Sequence, residues 1–366
     1  MRKKPAAYAV IMAGGGGTRF WPWSRETRPK QVLPILSSRT MIRETVERIS
    51  PLIPPERILI VTSRSQANQL YKEVPQVPRK NLIREPMGKN TAPCLCLAAV
   101  HIQKVDPGAV LIVLPADHFI GDGKEFLRTL RRAAEFAFRE EFLVTLGITP
   151  TGPETGYGYI QRGPMLGDVR GTKIFEAKAF REKPTLPKAK GYLRRGDYLW
   201  NSGMFIWRAE VFLGTVKKYL PRLYRDMQEL KAVLGTRGEK KELEKVYARC
   251  PSISVDYGIM EKAPNVALME ARFGWSDVGS WSVLWNLWPK DPEGNVCLQG
   301  GKGRILTLGS SGCVIRGEKN LIAVLGLKDM VVAQAGDAVL VCPRDRAQDV
   351  RLVLQELKER GWRKYL

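Results

Sequence analysis

The sequence Tyr8-Ala9-Val10-Ile11-Met12-Ala13-Gly14-Gly15-Gly16-Gly17-Thr18-Arg19 passes from an apolar run into four consecutive glycines and a basic residue. The apolar half reads as a β-strand, and the glycines as a turn at its carboxyl end. Glycine has no Cβ, so such a turn reaches positive φ and lets successive N–H groups close around an oxyanion. It is not a dinucleotide fingerprint, because Arg19 stands where a third small residue is needed. It is not a P-loop either, because no Gly-Lys-Ser/Thr closes it. Arg19, Arg25, Arg28 and Lys30 follow, with Glu26 the only acid among them. Forked and point cations beside a glycine turn suit a polyphosphate better than a single carboxylate. A plain tight turn with a solvated basic face is the other reading of these residues.

Beyond this turn the pattern repeats. Tyr8–Met12, Arg57–Val61, Asn81–Arg84, Val110–Leu114 and Phe142–Gly147 read as strands. Thr40–Ile49, Ser65–Glu73, Thr91–Lys104 and Asp122–Arg139 read as the helices between them. Alternation of this kind predicts an α/β sheet with parallel strands covered on both faces, whose ligands gather beyond the carboxyl ends of the strands. From about 150 to 285 a second set is expected: Thr155–Gln161, Lys173–Pro184 and Trp200–Trp207 as strands, and a long helix from Ala209 to about Leu234. After 285 short β-rich pieces alternate with glycine turns, which suggests a small solenoid closed by a helix over Asp345–Glu359. The expected division is residues 1–285 and 286–366.

Composition narrows the classes. The chain has 366 residues, 44% hydrophobic and 26% charged, an ordinary globular balance. No apolar run approaches the roughly 20 residues of a membrane span. Basic residues outnumber acidic ones by 59 to 37, and most of the excess precedes residue 286, so an anionic partner is expected. Six cysteines without a C-x-x-C pair and only two histidines, His101 and His118, argue against a zinc site and for a reducing, cytoplasmic setting. Arg2-Lys3-Lys4 before the apolar run imitates a secretory leader, but the run is short and glycines replace the cleavage region.

Two aspartates suit a hard cation. Asp117 follows the strand-end Pro115-Ala116, and Asp277 lies in a Gly/Ser/Trp-rich turn. Two carboxylates can hold Mg²⁺ beside phosphate oxygens, although a lone strand-end aspartate also serves as a helix cap. Glu182-Lys183 reads as a surface ion pair or as a phosphate-and-hydroxyl contact. Asn201 reads as a turn residue or as a hydroxyl reader, since an amide both donates and accepts. Gly158, between Tyr157 and Tyr159, can present backbone groups to a ligand. The Trp281–Trp288 stretch reads as packing.

Met12-Ala-Gly-Gly-Gly-Gly-Thr-Arg-Phe-Trp-Pro-Trp-Ser24 with Pro29-Lys30-Gln31 resembles the signature of the sugar-1-phosphate nucleotidylyltransferases. The Trp-Pro-x-Ser and Pro-Lys-Gln forms resemble their mannose-1-phosphate guanylyltransferase branch. The likeness continues in order through Glu85-Pro86, Asn90-Thr-Ala-Pro93, Leu114-Pro-Ala-Asp-His118, Glu154-Thr-Gly-Tyr-Gly-Tyr-Ile160, Phe180-Arg-Glu-Lys-Pro184, Trp200-Asn-Ser-Gly-Met-Phe205, Ser254-Val-Asp-Tyr257 with Met260-Glu-Lys262, and Trp275-Ser-Asp-Val-Gly-Ser-Trp281. Met12, Phe20 and Trp23 replace leucines usual there, and Lys89 replaces an arginine, which removes a forked contact.

The resemblance implies a Rossmann-like mixed sheet (GT-A-like) catalytic domain with a small β-helix-like C-terminal unit. It implies transfer from GTP to mannose 1-phosphate, giving GDP-mannose and diphosphate, with Mg²⁺ or another divalent cation on Asp117 and Asp277. Ala13, Gly14, Gly15, Gly16, Gly17, Thr18, Pro115 and Ala116 are then nucleotide-binding, with Glu85, Asn90 and Thr91 toward guanine and ribose. Arg19 and Lys30 face the diphosphate, Lys183 the sugar phosphate, and Tyr157, Gly158, Glu182 and Asn201 the sugar. A homodimer through the β-rich unit, with no nucleic-acid or membrane partner, is implied. Phosphomannose isomerase activity is not expected, since the chain stops after its β-rich tail. Another nucleotide or sugar phosphate is the near alternative. A basic nucleic-acid-binding protein is the distant one, though no basic-aromatic stripe supports it. An oxidoreductase is disfavoured by the failed fingerprint.

Overall fold

The apolar run before the glycines becomes β1 (Ala7–Met12), with a parallel partner on each side. The computed structural model describes residues 6–366, so Arg2-Lys3-Lys4 lies outside the described residues. The strands that follow are β2 (Ile58–Ser63), β3 (Leu82–Glu85), β4 (Val110–Pro115), β5 (Phe119–Ile120), β6 (Leu143–Ile148), β7 (Tyr159–Val169), β8 (Thr172–Arg181), β9 (Tyr198–Arg208), β10 (Val266–Ala271) and β11 (Trp275–Ser276). After them come β12 (Val296–Gln299), β13 (Arg304–Leu308), β14 (Val314–Gly317), β15 (Leu321–Leu325), β16 (Met330–Ala335) and β17 (Ala338–Pro343). Among the described residues no helix is long and apolar enough to cross a membrane.

The chain forms two compact units, and neither is contiguous. One holds the residues up to Gly14 with Thr45–Ala116 and Ile120–Trp275; the other holds Gly15–Glu44, Asp117–Phe119 and Ser276–Leu366. Compactness therefore divides the chain elsewhere than the change of texture at 285, because apolar residues of the early Gly15–Glu44 segment belong to the core of the C-terminal strands.

The first unit is a nine-stranded sheet in the order β3-β2-β1-β4-β9-β6-β10-β8-β7. Strands β3, β2, β1 and β4 run parallel, as their alternation with helices predicts. Strand β9 then enters antiparallel between β4 and β6, so the sheet is mixed rather than wholly parallel. Five of the six residues in each of β2 and β4 are buried, as expected of strands covered on both faces. Their side chains join a core that includes Val10, Val61, Val113, Phe205 and Trp207. Two sequence expectations change in detail. Residues 155–158 form a turn, and the strand begins at Tyr159. The single helix expected over 209–234 is two, Ala209–Tyr219 and Pro221–Val233, because Leu220 leaves the helical region just before a proline, where α geometry is disfavoured.

The second unit contains the expected solenoid. Strands β12, β14 and β16 stack in parallel, and β13 pairs in parallel with β15. Val296, Val314 and Val331 lie in register and are fully buried, one apolar rung above another. Strand β17 closes the stack antiparallel to β16. The helix Val350–Glu359 adds Val350, Leu354 and Leu357 to a core that also contains Phe20, Trp21, Trp23, Leu33, Ile35 and Trp281. The indole N–H of Trp281 donates to the Trp21 carbonyl at 3.1 Å, which fixes the aromatic cluster as packing.

Truncation after Leu287 would leave Phe20, Trp21 and Trp23 with Trp281 but without the core residues of the C-terminal strands and closing helix, at roughly 1.5–3 kcal/mol for each large side chain re-exposed. The truncated protein is expected to aggregate or lose its near-ultraviolet tryptophan signal, as followed by size-exclusion chromatography and circular dichroism. A soluble truncation with unchanged aromatic signal would contradict the shared core.

Candidate active site

Strand β1 delivers Ala13 and Gly14 at its carboxyl end. The Ala13 amide donates to the Val61 carbonyl at 2.9 Å, and the Thr62 hydroxyl donates to the Ala13 carbonyl at 2.9 Å. At the end of β4 the Ala116 amide donates to the Met12 carbonyl at 3.0 Å, while the Thr45 hydroxyl donates to the Ala116 carbonyl. Both strand ends are thus held rigidly where the chain enters the polar turns.

Within the second unit the turn reads as glycine demands. Gly15 has φ of 102° and Gly17 of 51°. A Cβ on Gly17 would stand 2.5 Å from the Lys30 amide nitrogen and 2.8 Å from the Lys30 Cβ. That close approach seats Lys30, whose side chain is only 7% exposed. Its ammonium donates to the Asp277 carbonyl at 2.5 Å and pairs with the Asp117 carboxylate at 2.8 Å. Burial would raise the Asp117 carboxyl, but the Lys30 charge and hydrogen bond, with His118 and a backbone amide, hold it below the usual range. The neighbouring Asp122, not Asp117, caps the helix Gly123–Arg139, accepting from the Glu125 amide at 2.9 Å. Arg19 is exposed. Arg25 is tied elsewhere in this unit, to Asp337 at 2.6 Å and the Lys364 carbonyl at 3.2 Å, so its place in the basic run is structural.

Whether Mg²⁺ fits here turns on the oxygens of Asp117 and Asp277. Lys30 gathers one carboxylate and one backbone carbonyl on a single ammonium, and the donors are hard oxygens, the kind Mg²⁺ prefers. Among the described residues no three His, Cys, Asp or Glu side chains cluster as a metal site. Mg²⁺ commonly uses one or two carboxylates and completes its shell with water and substrate phosphates, so two aspartates fit it.

The first unit holds two further groups. Glu85 is 6% exposed, accepts from the Tyr247 hydroxyl at 3.0 Å, and is pushed by burial up to about 7, with the tyrosine bond acting the other way. A Cβ on Gly14 would lie 3.6 Å from Glu85 Oε2, so the buried carboxyl sits beside the start of the glycine turn. Asn90, at φ 68°, caps the helix Thr91–Val105 by accepting from the Thr91 amide at 2.9 Å. The Thr91 hydroxyl accepts from the Val255 amide at 2.8 Å. Asn90 and Thr91 thus shape the helix entry as well as standing in the motif.

The other group unites Tyr157, Gly158, Glu182, Lys183 and Asn201. Lys183, at φ 46°, donates its amide to the Tyr157 carbonyl at 3.2 Å, and its ammonium contacts Glu182 Oε1. Among the described residues the other oxygen of Glu182 is buried with no hydrogen-bond partner, and Gly158 lies over it: a Cβ there would be 2.4 Å away. The Gly158 carbonyl accepts from the Asn201 amide at 2.8 Å. Tyr157 meets Trp200 and Trp275 edge-on, each at 5.1 Å. One member escapes site-by-site reading of the sequence: Asp256, to which the Asn201 side-chain amide donates at 3.0 Å. The Ser254-Val-Asp-Tyr257 motif is its visible signal.

The chain belongs to the nucleotidyl transferase family, whose model matches residues 8–294. A second model, the MannoseP isomerase/GMP-like beta-helix domain, matches residues 303–357. The mannose-1-phosphate guanylyltransferase of Klebsiella pneumoniae is 38% identical over 360 residues, 96% of this chain and 74% of the relative. That of Salmonella muenchen is 39% identical over 354 residues, 95% of this chain and 73% of the relative. A crystal structure from Thermus thermophilus, described as a mannose-1-phosphate geranyltransferase, is 40% identical with a TM-score of 0.86, covering 96% of this chain and 99% of that one. The mixed-sheet nucleotidyltransferase core with a β-helix-like C-terminal unit is thereby established as the fold class.

Gly17→Ala should lower nucleotidyl-transfer turnover by about tenfold or more, because the new methyl displaces Lys30 and strains a left-handed residue by ~1–2 kcal/mol. Gly16→Ala, whose Cβ meets only a Thr18 methyl at 3.6 Å, should cost far less. Equal turnover in the two variants, measured by diphosphate release, would refute the close-approach argument. Glu85 makes a separate, pH-dependent prediction. Its folded value near 7 exceeds the ordinary 4.5, so folding takes up a proton between those values. The stabilisation is complete below pH 4.5 and is lost as pH rises through 7. Glu85→Gln keeps the Tyr247 acceptor and removes the titration. It should match wild type at pH 4.5 and exceed it at pH 8 by on the order of 2–4 kcal/mol in denaturant unfolding. A gap that does not change with pH would count against the buried acid.

Proposed function

We propose that this chain transfers a guanylyl group from GTP to mannose 1-phosphate, releasing diphosphate and GDP-mannose. The observation that carries the reading is the buried Lys30 held between the Asp117 carboxylate and the Asp277 carbonyl beneath a glycine turn. The names of relatives about 38% identical over nearly the whole chain support GTP and mannose 1-phosphate as the particular pair.

The reaction has no need of a covalent enzyme intermediate. A phosphate oxygen of the sugar phosphate attacks the α-phosphorus of GTP, and the bond to the β-phosphate oxygen breaks in line. Alignment and neutralisation of charge do the catalytic work. The amides of Gly14–Thr18 hold phosphate oxygens, that of Ala13 being given to the Val61 carbonyl, while Arg19 and Lys30 stabilise the charge accumulating on the departing diphosphate. Glu85, Asn90, Thr91, Pro115 and Ala116 border the nucleoside. Lys183 receives the sugar phosphate, and Tyr157, Gly158, Glu182 and Asn201 receive the sugar. Asp117 and Asp277 would hold Mg²⁺, which supplies neutralisation of the triphosphate when bound.

The assembly and setting follow from other surfaces. Strands β13 and β15 leave Leu306, Leu308, Leu321 and Leu325 exposed on paired strands, an apolar face that supports a homodimer through the C-terminal unit. All six cysteines are unpaired, which supports a reducing cytoplasm.

A diphosphate-release screen of GTP, ATP, UTP and dTTP against several sugar 1-phosphates tests the substrate pair. GTP with mannose 1-phosphate should give the highest kcat/KM, and preference for another pair would overturn it. Asp117→Asn and Asp277→Asn should each weaken Mg²⁺ dependence and lower kcat while the fold persists. The double variant should be little worse than the worse single, because both act on one ion. Near wild-type Mg²⁺ dependence in folded Asp277→Asn would return that residue to a structural role.

A further inference from the structure

The sequence casts Asn201 as both donor and acceptor toward a sugar, and the structure fixes which end of its amide is which. Its Oδ1 accepts from the Gly203 amide at 3.1 Å, and the one Thr145 hydroxyl hydrogen is shared between this oxygen and the Met204 carbonyl, each at 3.4 Å. Its Nδ2 gives one N–H to Asp256 Oδ1 at 3.0 Å. An amide nitrogen has two hydrogens, so one N–H remains for a ligand. The orientation is forced from both ends. Turning the amide over would set Oδ1 against the Asp256 carboxylate and the NH₂ against the Gly203 N–H, two repulsive contacts in place of two favourable ones.

Resting on the reading that Asn201 lies in the sugar site, we propose that Asp256 is a positioning residue that orients the Asn201 amide so that it donates an N–H to the sugar. Asp256 does not touch the reacting atoms. It opens the short helical turn Asp256–Met260 and is half-buried beside the carboxylate-amide cluster. Burial and the Glu182 charge push its carboxyl up to about 6, against its own backbone amide, the Asn201 hydrogen bond and Lys183. A carboxylate kept in so costly a place has a use beyond solubility. With Asn201 fixed as a donor, the site distinguishes a sugar oxygen that can accept at that point from a position lacking oxygen. The backbone of the neighbouring Gly158, pinned by its hydrogen bond to the Asn201 amide, keeps the donor at a set height.

The test compares KM for mannose 1-phosphate and for GTP in wild type, Asp256→Ala, Asp256→Asn, Asn201→Ala, the double alanine variant, and the exchange Asn201→Asp with Asp256→Asn. Wild-type turnover with mannose 1-phosphate reports on the function itself, and the ratios between variants report on Asp256. Asp256→Ala should raise the mannose 1-phosphate KM by about 10- to 100-fold and leave the GTP KM unchanged, while Asp256→Asn, still an acceptor, should come within about threefold of wild type. In the Asn201→Ala background, loss of Asp256 should add nothing further. The exchange variant keeps volume, net charge and a 201–256 hydrogen bond but turns residue 201 into an acceptor. It should fold and keep the raised KM, so the proposal stays testable even if Asp256→Ala does not fold. Additive single effects, an equal rise in both KM values, or wild-type KM in the exchange variant would each overturn it.

Discussion

A lysine ammonium that is almost wholly withdrawn from water sets the terms for the polar half of this protein. Removing such a charge from water costs several kcal/mol unless it is paired and hydrogen-bonded. Lys30 meets that demand with the Asp117 carboxylate and the Asp277 carbonyl. The requirement reaches back into the sequence, since Gly17 must lack a side chain for the Lys30 backbone to approach. Three distant stretches, around residues 17–30, 117 and 277, are thereby bound to one another by a single charge. The same arrangement holds the Asp117 carboxyl below its usual range.

A contrasting solution governs the carboxylates of the first unit. Glu85 is raised by burial, which outweighs its bond from a tyrosine hydroxyl. Asp256 is raised by burial and then by the charge of Glu182, against its amide donor. Glu182 divides its two oxygens between Lys183 and a buried position with no donor among the described residues. Acidic side chains of the same elementary chemistry thus meet different electrostatic surroundings according to what approaches them, and sorting of this sort characterises sites where charge is handled.

Much of this was legible before any coordinates. Strands β1 to β4 and β6 and the helices between them were readable because buried parallel strands are continuous apolar runs bounded by turns, as in β2 and β4. The glycine turn and the motifs that contain Asp117, Lys183 and Asn201 stood out because motif chemistry is local. What escaped is what depends on partners far away in the chain. Antiparallel entry of β9 beside β4 is a matter of long-range pairing, which alternation of residues cannot reveal. Arg25 looked like part of a phosphate-binding run, yet its partner is Asp337. Asp256 looked like one letter of a motif, and its importance appears only through Asn201. The break at Leu220 was signalled by Pro221 and lost beneath a strong helical pattern.

The composition of the second unit has a consequence for how the chain is made. Phe20, Trp21, Trp23, Leu33 and Ile35 leave the ribosome long before Val296, Val314, Val331 and Leu354, which belong to the same core. At ~5–20 residues per second the interval is on the order of tens of seconds. During that time the nascent chain carries a cluster of unsheltered tryptophans while the strands of the sheet are already being completed. This arrangement ties the protection of the aromatic segment to synthesis of the strands β12, β14 and β16. A ribosome that stalls before the solenoid would leave behind a partly folded sheet with a sticky aromatic segment, marked for degradation by its own exposed core.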